Sequence, residues 1–154
     1  MPSVLIVDDE LGARELLKRW LAGSEYTVLE ADAAEAAVTV LEQSPVDVVI
    51  ADMRMPGLGG AWLLSQVRER FGTTPVVLAT ADANLPGTIS LQRGVVGYIV
   101  KPFTRDALLT QLAIAMAWRQ QQIAAGPSAT VADPVDSFLD RKLTGRLPPG
   151  DRND

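Results

Sequence analysis

The sequence contains no cysteine and no histidine. Without cysteine the chain cannot form disulfides, perform thiol catalysis or bind a metal through thiolates. Without histidine it cannot build a histidine-based triad or a histidine zinc site, and it cannot carry a phosphohistidine. Any chemistry in this chain must therefore use carboxylates, hydroxyls, lysine or a hard metal ion.

Basic clusters and long apolar segments are also missing. Nineteen acidic and fourteen basic residues give a net charge of -5, and no run is rich in lysine or arginine. This balance predicts no direct nucleic-acid binding by the chain. No apolar stretch reaches membrane-spanning length, and the first one ends at three acids, Asp8, Asp9 and Glu10. We therefore expect a cytoplasmic protein that does not associate with membranes.

The remaining pattern suits one α/β domain, since 47% of the 154 residues are hydrophobic and can form a single core. Short apolar runs predict strands at residues 4–7, 26–30, 48–51, 75–79 and 95–100. Helical patterns and start signals predict helices at 11–21, from 32–35 to 43, after 59–60, in a short segment ending near 92, and at 105–124. This alternation predicts a parallel sheet with right-handed crossovers and helices on both faces.

Local signals predict how three of these helices begin or face the core. The first helix should bury one apolar stripe, formed by Leu16, Leu17, Trp20 and Leu21. Its other face is charged and carries Arg14, Glu15, Lys18 and Arg19. Asp32 and Glu35 have the spacing of a capping box. Thr104 is the predicted N-cap of the last helix, and Asp106 suits its first turn.

Residues 125–154 differ in composition from the preceding chain. Glycine and proline are too frequent there for one packed element. We predict a domain over residues 1–124, followed by a flexible tail or linker stub over 125–154. A docked short helix over 134–144 is the alternative, because that stretch carries Val135, Phe138, Leu139 and Leu143.

Polar side chains follow four of the predicted strands. They are Asp8 and Asp9, Asp52, Thr80 and Lys101. The carboxyl ends of parallel strands meet at one edge of the sheet, where ligands bind. Taken singly, each residue has a plainer interpretation, such as a solvated loop aspartate or a surface lysine. Together they predict a site.

Three carboxylates at one site repel each other. At about 4 Å and an effective dielectric near 20, each pair costs roughly 4 kcal/mol, so we expect protonation or a hard cation. Oxygen ligands favour Mg²⁺, with Ca²⁺ or Mn²⁺ as alternatives. A carboxylate can accept a phosphoryl group if positive charge and hydrogen bonds reach the phosphoryl oxygens. Lys101 and Thr80 can supply one of each.

These residues resemble the receiver domain of bacterial two-component response regulators over about residues 3–122. The supporting motifs are Asp8-Asp9, Asp52 followed by Met-Arg-Met-Pro-Gly, Thr80-Ala81 and Lys101-Pro102-Phe103. The resemblance implies a flavodoxin-like sheet with strand order 2-1-3-4-5. It also implies a cis peptide bond between Lys101 and Pro102.

The resemblance further assigns a role to each matching residue. Asp52 is the implied phosphoacceptor, and Thr80 and Lys101 bind the phosphoryl oxygens. Asp9 and Asp52 ligate Mg²⁺ directly, Asp8 acts through water, and the backbone carbonyl of Arg54 completes the ligand set. Tyr98 matches the aromatic switch position. Arg54 and Asp82 flank the site and are expected to modulate the lifetime of the phosphorylated state.

The implied function is a phosphorylation switch and not an enzyme. The donor would be a sensor histidine kinase or phosphotransfer protein, because this chain has no histidine. The output would pass to a downstream protein target or effector domain, through a face formed by the last two helices and the fifth strand. The resemblance also allows a phosphorylation-dependent dimer.

Two other functions remain open from the sequence. One is a receiver-like interaction module that is never phosphorylated. The other is a Mg²⁺-dependent phosphohydrolase, although Asp8-Asp9-Glu10 lacks the Asp-x-Asp spacing of haloacid-dehalogenase-like phosphatases. A flavin module is a poorer match, because no phosphate-binding loop follows the first strand.

Two departures from the family pattern concern the output face. The interval from Thr80 to Lys101 is about one residue short, and Pro86-Gly87 falls where the fourth helix should begin.

Overall fold

The computed structural model describes residues 1–81 and 95–125, in which the chain forms five strands and four helices. The strands are β1 (Ser3–Val7), β2 (Thr27–Ala31), β3 (Val48–Asp52), β4 (Val76–Thr80) and β5 (Val95–Val100). The helices are α1 (Leu11–Leu21), α2 (Ala34–Gln43), α3 (Gly60–Arg70) and α4 (Arg105–Ala125). Two predicted features lie outside the described residues: the short helix ending near residue 92, and the alternative helix at 134–144. The tail predicted over 125–154 also lies outside them, except for Ala125, which ends α4.

The strands form one parallel sheet in the order β2-β1-β3-β4-β5. In its register Val7 pairs with Ala51, and Asp52 pairs with Ala79. Every residue of β3 and β4 is buried, which explains why their sequences are continuously apolar and do not alternate. The predicted α/β class and the strand order implied by the resemblance are both confirmed.

The two faces of the sheet bury separate apolar clusters. Alternate residues such as Leu5 and Leu78 point toward α2 and α3. Their neighbours, such as Ile6 and Val77, point toward α1 and α4. Full burial of one such side chain is worth about 1.5–3 kcal/mol. The carboxyl edge of the sheet is therefore a rigid platform for the residues that follow the strands.

Element boundaries differ from the predictions at two places. The second strand begins at Thr27 and not at Tyr26, because Thr27 N donates a hydrogen bond to Pro2 O at 2.8 Å. The predicted capping box at Asp32 is wrong. Helix α2 begins at Ala34 after an extended Ala33, and no side chain caps it.

Helix α1 buries a narrower stripe than its sequence predicted. Leu17 and Leu21 are buried, but Leu16 is 39% exposed. Trp20 is half-buried and packs edge-on against Phe103, with ring centroids 5.8 Å apart. The prediction that Trp20 is a core residue is therefore only partly right. Leu16 and Trp20 instead line a cavity, together with Phe103 from the loop after β5.

Helix α4 is capped at its start, and near its other end it is bonded to residues that precede β3 and β4. Thr104 Oγ1 accepts a hydrogen bond from Ala107 N at 3.1 Å, which confirms the predicted N-cap. Near the other end, Arg119 forms an ion pair with Asp47 at 3.1 Å and donates to Thr73 O at 3.1 Å. Among the helices in residues 1–81 and 95–125, none has the length and apolar character needed to cross a bilayer.

Candidate phosphoryl and metal site

Asp8 follows β1 and is held through each of its polar groups. Its backbone N donates to Ala31 O at 3.2 Å, and its Oδ1 accepts from Glu10 N at 3.0 Å. Its Oδ2 accepts from Lys101 Nζ at 2.9 Å. Only 3% of the residue is exposed. Asp8 is therefore a fixed carboxylate at the base of the site.

Asp52 ends the central strand, and a shaped turn follows it. Its Oδ1 accepts a hydrogen bond from Arg54 N at 3.0 Å, and its Oδ2 accepts from Lys101 Nζ at 3.2 Å. The turn continues to Gly57, whose φ of +76° is one that other residues rarely adopt. The backbone after β3 thus orients the carboxylate toward the edge of the sheet.

Lys101 links the two buried carboxylates. It follows β5 at the cis peptide bond with Pro102, which confirms that implied feature. Burial disfavours its charge, but hydrogen bonds and attraction from Asp8 and Asp52 outweigh this effect and raise the pKa of Lys101. The ammonium group is therefore charged at neutral pH. It neutralises one of two neighbouring acids.

The structure brings Asp9 into the same site. Carboxylate oxygens of Asp8, Asp9 and Asp52 lie within 4.8 Å of one another, with Asp9 exposed and the other two buried. Three carboxylates against one ammonium leave a formal excess of two negative charges. Hard divalent cations prefer such all-oxygen ligands, so the residues present fit Mg²⁺.

Thr80 is the last residue of β4 and lies beside this group. It is 1% exposed, and its backbone O accepts a hydrogen bond from Lys101 N at 2.6 Å. The four strand ends singled out in the sequence therefore converge. One edge of the sheet carries two buried acids, one exposed acid, a lysine and a threonine.

A sequence profile of the response regulator receiver domain matches residues 4–113. The chain belongs to the response regulator receiver family. The family and the function class predicted from the sequence, a receiver domain of a two-component switch, are thereby confirmed. Domains of this family act as signalling switches and not as catalysts.

Relatives of this receiver domain include both short and long proteins. Chemotaxis protein CheY of Pseudomonas aeruginosa is 39% identical over 110 residues, covering 69% of this chain and 89% of CheY. The transcriptional regulator NtrC of Salmonella typhimurium is 33% identical over 152 residues, covering 94% of this chain and 32% of NtrC. This chain thus spans about a third of the length of NtrC.

Solved structures agree with the fold. The response regulator protein TrrA of Thermotoga maritima, solved in complex with Mg²⁺ and BeF, is 30% identical with a TM-score of 0.69. The similarity covers 75% of this chain and 99% of TrrA. The same fold therefore carries a Mg²⁺ and BeF complex in a relative.

A cavity of about 550 Å³ opens beside the carboxylates of the receiver domain. Helix α1 lines it with Leu16, Leu17 and Trp20, and the loop after β5 lines it with Phe103. Asp52 and Lys101 lie in the same cavity wall. The site therefore has an apolar side, which the sequence analysis did not predict.

Two other predicted residues, Tyr98 and Arg54, are exposed. Tyr98 is 47% exposed on β5, on the outer edge of the sheet. The Arg54 side chain is exposed, while its backbone N binds Asp52. Asp82 lies outside the described residues. The roles proposed for these three residues stay predictions.

One residue of the site was missed by the sequence analysis. Arg14 was assigned to the charged face of the first helix. In the structure its side chain is only 13% exposed, and Nη1 donates to Asp8 O at 2.7 Å. The helical pattern places Arg14 on the polar face of α1. It does not show whether an arginine on that face is solvated or bonded to a neighbouring loop.

Proposed function

We propose that this receiver domain accepts a phosphoryl group on Asp52 in a Mg²⁺-dependent reaction. The observation that carries the proposal is the bridge from Lys101 Nζ to both Asp8 and Asp52, at 2.9 and 3.2 Å, beside the exposed Asp9. This arrangement places a nucleophile, a cation for the phosphoryl oxygens and a set of metal ligands within one edge of the sheet.

In the proposed reaction, one carboxylate oxygen of Asp52 attacks phosphorus. The bond from phosphorus to the donor breaks, and an acyl phosphate forms on Asp52. Lys101 keeps its contact with Asp8 and turns from Asp52 to a phosphoryl oxygen. The hydroxyl of Thr80 donates to a second phosphoryl oxygen. These fixed positive and polar groups stabilise charge that develops in the transition state.

Asp8, Asp9 and Asp52, with the Arg54 carbonyl, would hold Mg²⁺. When bound, this ion neutralises the carboxylates and phosphoryl oxygens and so permits their approach. Asp8 is buried and already occupied by Glu10 N and Lys101, which supports its proposed action through water. The exposed Asp9 and the strand-end Asp52 are the proposed direct ligands.

The proposed donor is a sensor histidine kinase or phosphotransfer protein in the cytoplasm. The sequence contains no histidine, so the proposed phosphohistidine lies outside these 154 residues. NtrC relatives extend well beyond the matched region, which supports a further effector domain or target protein as the output.

A phosphorylation-dependent dimer and the domain limit near residue 124 remain predictions. In the proposed role the domain is a switch that carries a phosphoryl group on Asp52, and it is not an enzyme that acts on a separate substrate.

Labelling with a small phosphodonor tests the proposal. Wild-type protein should incorporate phosphate from acetyl phosphate only with Mg²⁺, and Asp52→Asn should abolish incorporation. Asp32→Asn is the matched control, because Asp32 is an exposed aspartate that does not belong to the group of Asp8, Asp9 and Asp52. Label retained by Asp52→Asn at the wild-type rate would overturn the assignment. Wild-type protein that neither labels nor binds beryllofluoride would instead be an interaction module, and sustained phosphate release without label would indicate a phosphohydrolase.

A further inference from the structure

Asp9 is the least constrained acid of the site. Asp8 has a partner for its backbone N, its carbonyl and both carboxylate oxygens. Asp9 is exposed, and within the described chain its carboxylate makes no hydrogen bond or ion pair. The direction in which the Asp9 carboxylate points therefore depends on the backbone that carries it.

The Arg14 side chain binds the backbone at the peptide unit that precedes Asp9. Its Nη1 donates to the carbonyl of Asp8 at 2.7 Å. This carbonyl belongs to the peptide unit between Asp8 and Asp9, which is planar and rotates as one body. The plane includes Asp9 Cα, so a hydrogen bond that holds the plane also constrains the position of the atom that carries the Asp9 side chain.

Arg14 is itself held by the neighbouring strand. Its Nε donates to Glu30 Oε1 at 3.0 Å, so the two sides of the guanidinium group bind β2 and the loop after β1. Glu30 also accepts from Lys18 at 2.8 Å. Hydrogen bonds from Lys18 and then Arg14 lower the pKa of Glu30, so it is charged at neutral pH. With the Arg14 side chain 13% exposed, the guanidinium has little freedom to turn away.

We propose that Arg14 is a positioning residue for Mg²⁺: it orients the Asp8–Asp9 peptide and thereby presets Asp9 as a ligand. The inference rests on the Mg²⁺ site of the proposed function. A planar fork is needed, because one group must bind Glu30 and the Asp8 carbonyl in two directions at once. Removal of groups that orient metal ligands typically weakens binding by about 10- to 100-fold. We expect about a tenfold loss for Arg14→Gln, at the lower end of that range.

The sign of the effect separates positioning from simple electrostatics. Arg14→Gln removes a positive charge near a cation site, so Coulomb attraction alone predicts tighter Mg²⁺ binding. Positioning predicts weaker binding. Lys18→Gln is the matched control, because it makes the same charge change on the same helix and also frees Glu30, but does not touch Asp8. Arg14→Lys keeps the charge and loses the fork, so it should also bind Mg²⁺ more weakly.

Mg²⁺ titration by calorimetry measures the dissociation constants, and chemical unfolding in EDTA shows whether each variant folds. The inference is supported if Arg14→Gln and Arg14→Lys both bind Mg²⁺ more weakly than wild type, while Lys18→Gln binds it as tightly as wild type or more tightly. The amide resonance of Asp9 should also shift in the metal-free Arg14 variants. Equal or tighter binding in both Arg14 variants would overturn the inference while leaving the Mg²⁺ site intact. Parallel losses in Lys18→Gln and Arg14→Gln would also overturn it. Wild-type protein that binds no Mg²⁺ would overturn the proposed function itself.

Discussion

Replacement of Lys101 by methionine should destabilise the metal-free protein and make its stability more dependent on Mg²⁺. Lys101 is the cation bonded to both Asp8 and Asp52. These two acids are 3% and 8% exposed, so water cannot compensate well for its loss. Methionine keeps the length and apolar stem of lysine but removes the ammonium group.

The expected loss is about 3 kcal/mol. Removing one partner of a buried ion pair costs about 3–5 kcal/mol, because an uncompensated charge remains. We take the lower end because the Lys101 side chain is itself 26% exposed. For a domain of this size, 1 kcal/mol corresponds to about 4 °C, so the midpoint of thermal unfolding should fall by about 12 °C.

Urea unfolding in EDTA and in excess Mg²⁺ measures the effect. A bound divalent cation replaces the missing positive charge, so Mg²⁺ should stabilise Lys101→Met more than wild type. Lys18→Met is the control, because the ion pairs of Lys18 within residues 1–81 and 95–125 are exposed, so this variant should unfold near the wild-type midpoint. Incorporation of phosphate at Asp52 should fall in Lys101→Met even though Mg²⁺ binding is retained.

The pH dependence of the loss follows from the raised pKa of Lys101. Its contribution is complete below the pKa of an unfolded lysine, about 10.4, and disappears as pH rises through the higher folded value. The difference between wild type and Lys101→Met should therefore stay constant between about pH 7 and 9. An unchanged midpoint for Lys101→Met in EDTA would refute the reasoning. Equal stabilisation of both proteins by Mg²⁺ would refute it as well.

Three further predictions test the loops and the switch. Gly60→Ala should cost about 1–3 kcal/mol in urea unfolding, since a Cβ there would lie 2.8 Å from Asp52 O. Gly12→Ala, whose Cβ would meet nothing within 4 Å, should not destabilise, and equal effects would contradict the steric argument. Arg54→Ala and Asp82→Ala should change the half-life of the aspartyl phosphate, and wild-type half-lives in both would remove their modulating role. Beryllofluoride with Mg²⁺ should alter amide exchange around Tyr98, and exchange changes confined to the loops at the acids would indicate another route of output.

Much of the site could be located from the sequence because its residues immediately follow buried strands. Continuous apolar runs identify central strands of a parallel sheet, and such strands end at a common edge. Asp52 and Thr80 could therefore be placed at that edge before any contact was known. The limits of α1 and the cap at Thr104 were also correct, since helical periodicity and capping depend on neighbouring residues.

The sequence by itself thus determined the fold class and the identity of the acids at the sheet edge, and it excluded a phosphohistidine within these 154 residues. Only the tertiary structure decided which of these charges meet. Lys101 reaches Asp8 across 93 positions, and Arg14 reaches Glu30 across 16. The periodicity that predicts helices and strands reports one element at a time, whereas these contacts depend on strand register and on how α1 packs against the loops. For the same reason the sequence placed Arg14 only on the charged face of α1, whereas in the structure its side chain donates a hydrogen bond to the Asp8 carbonyl.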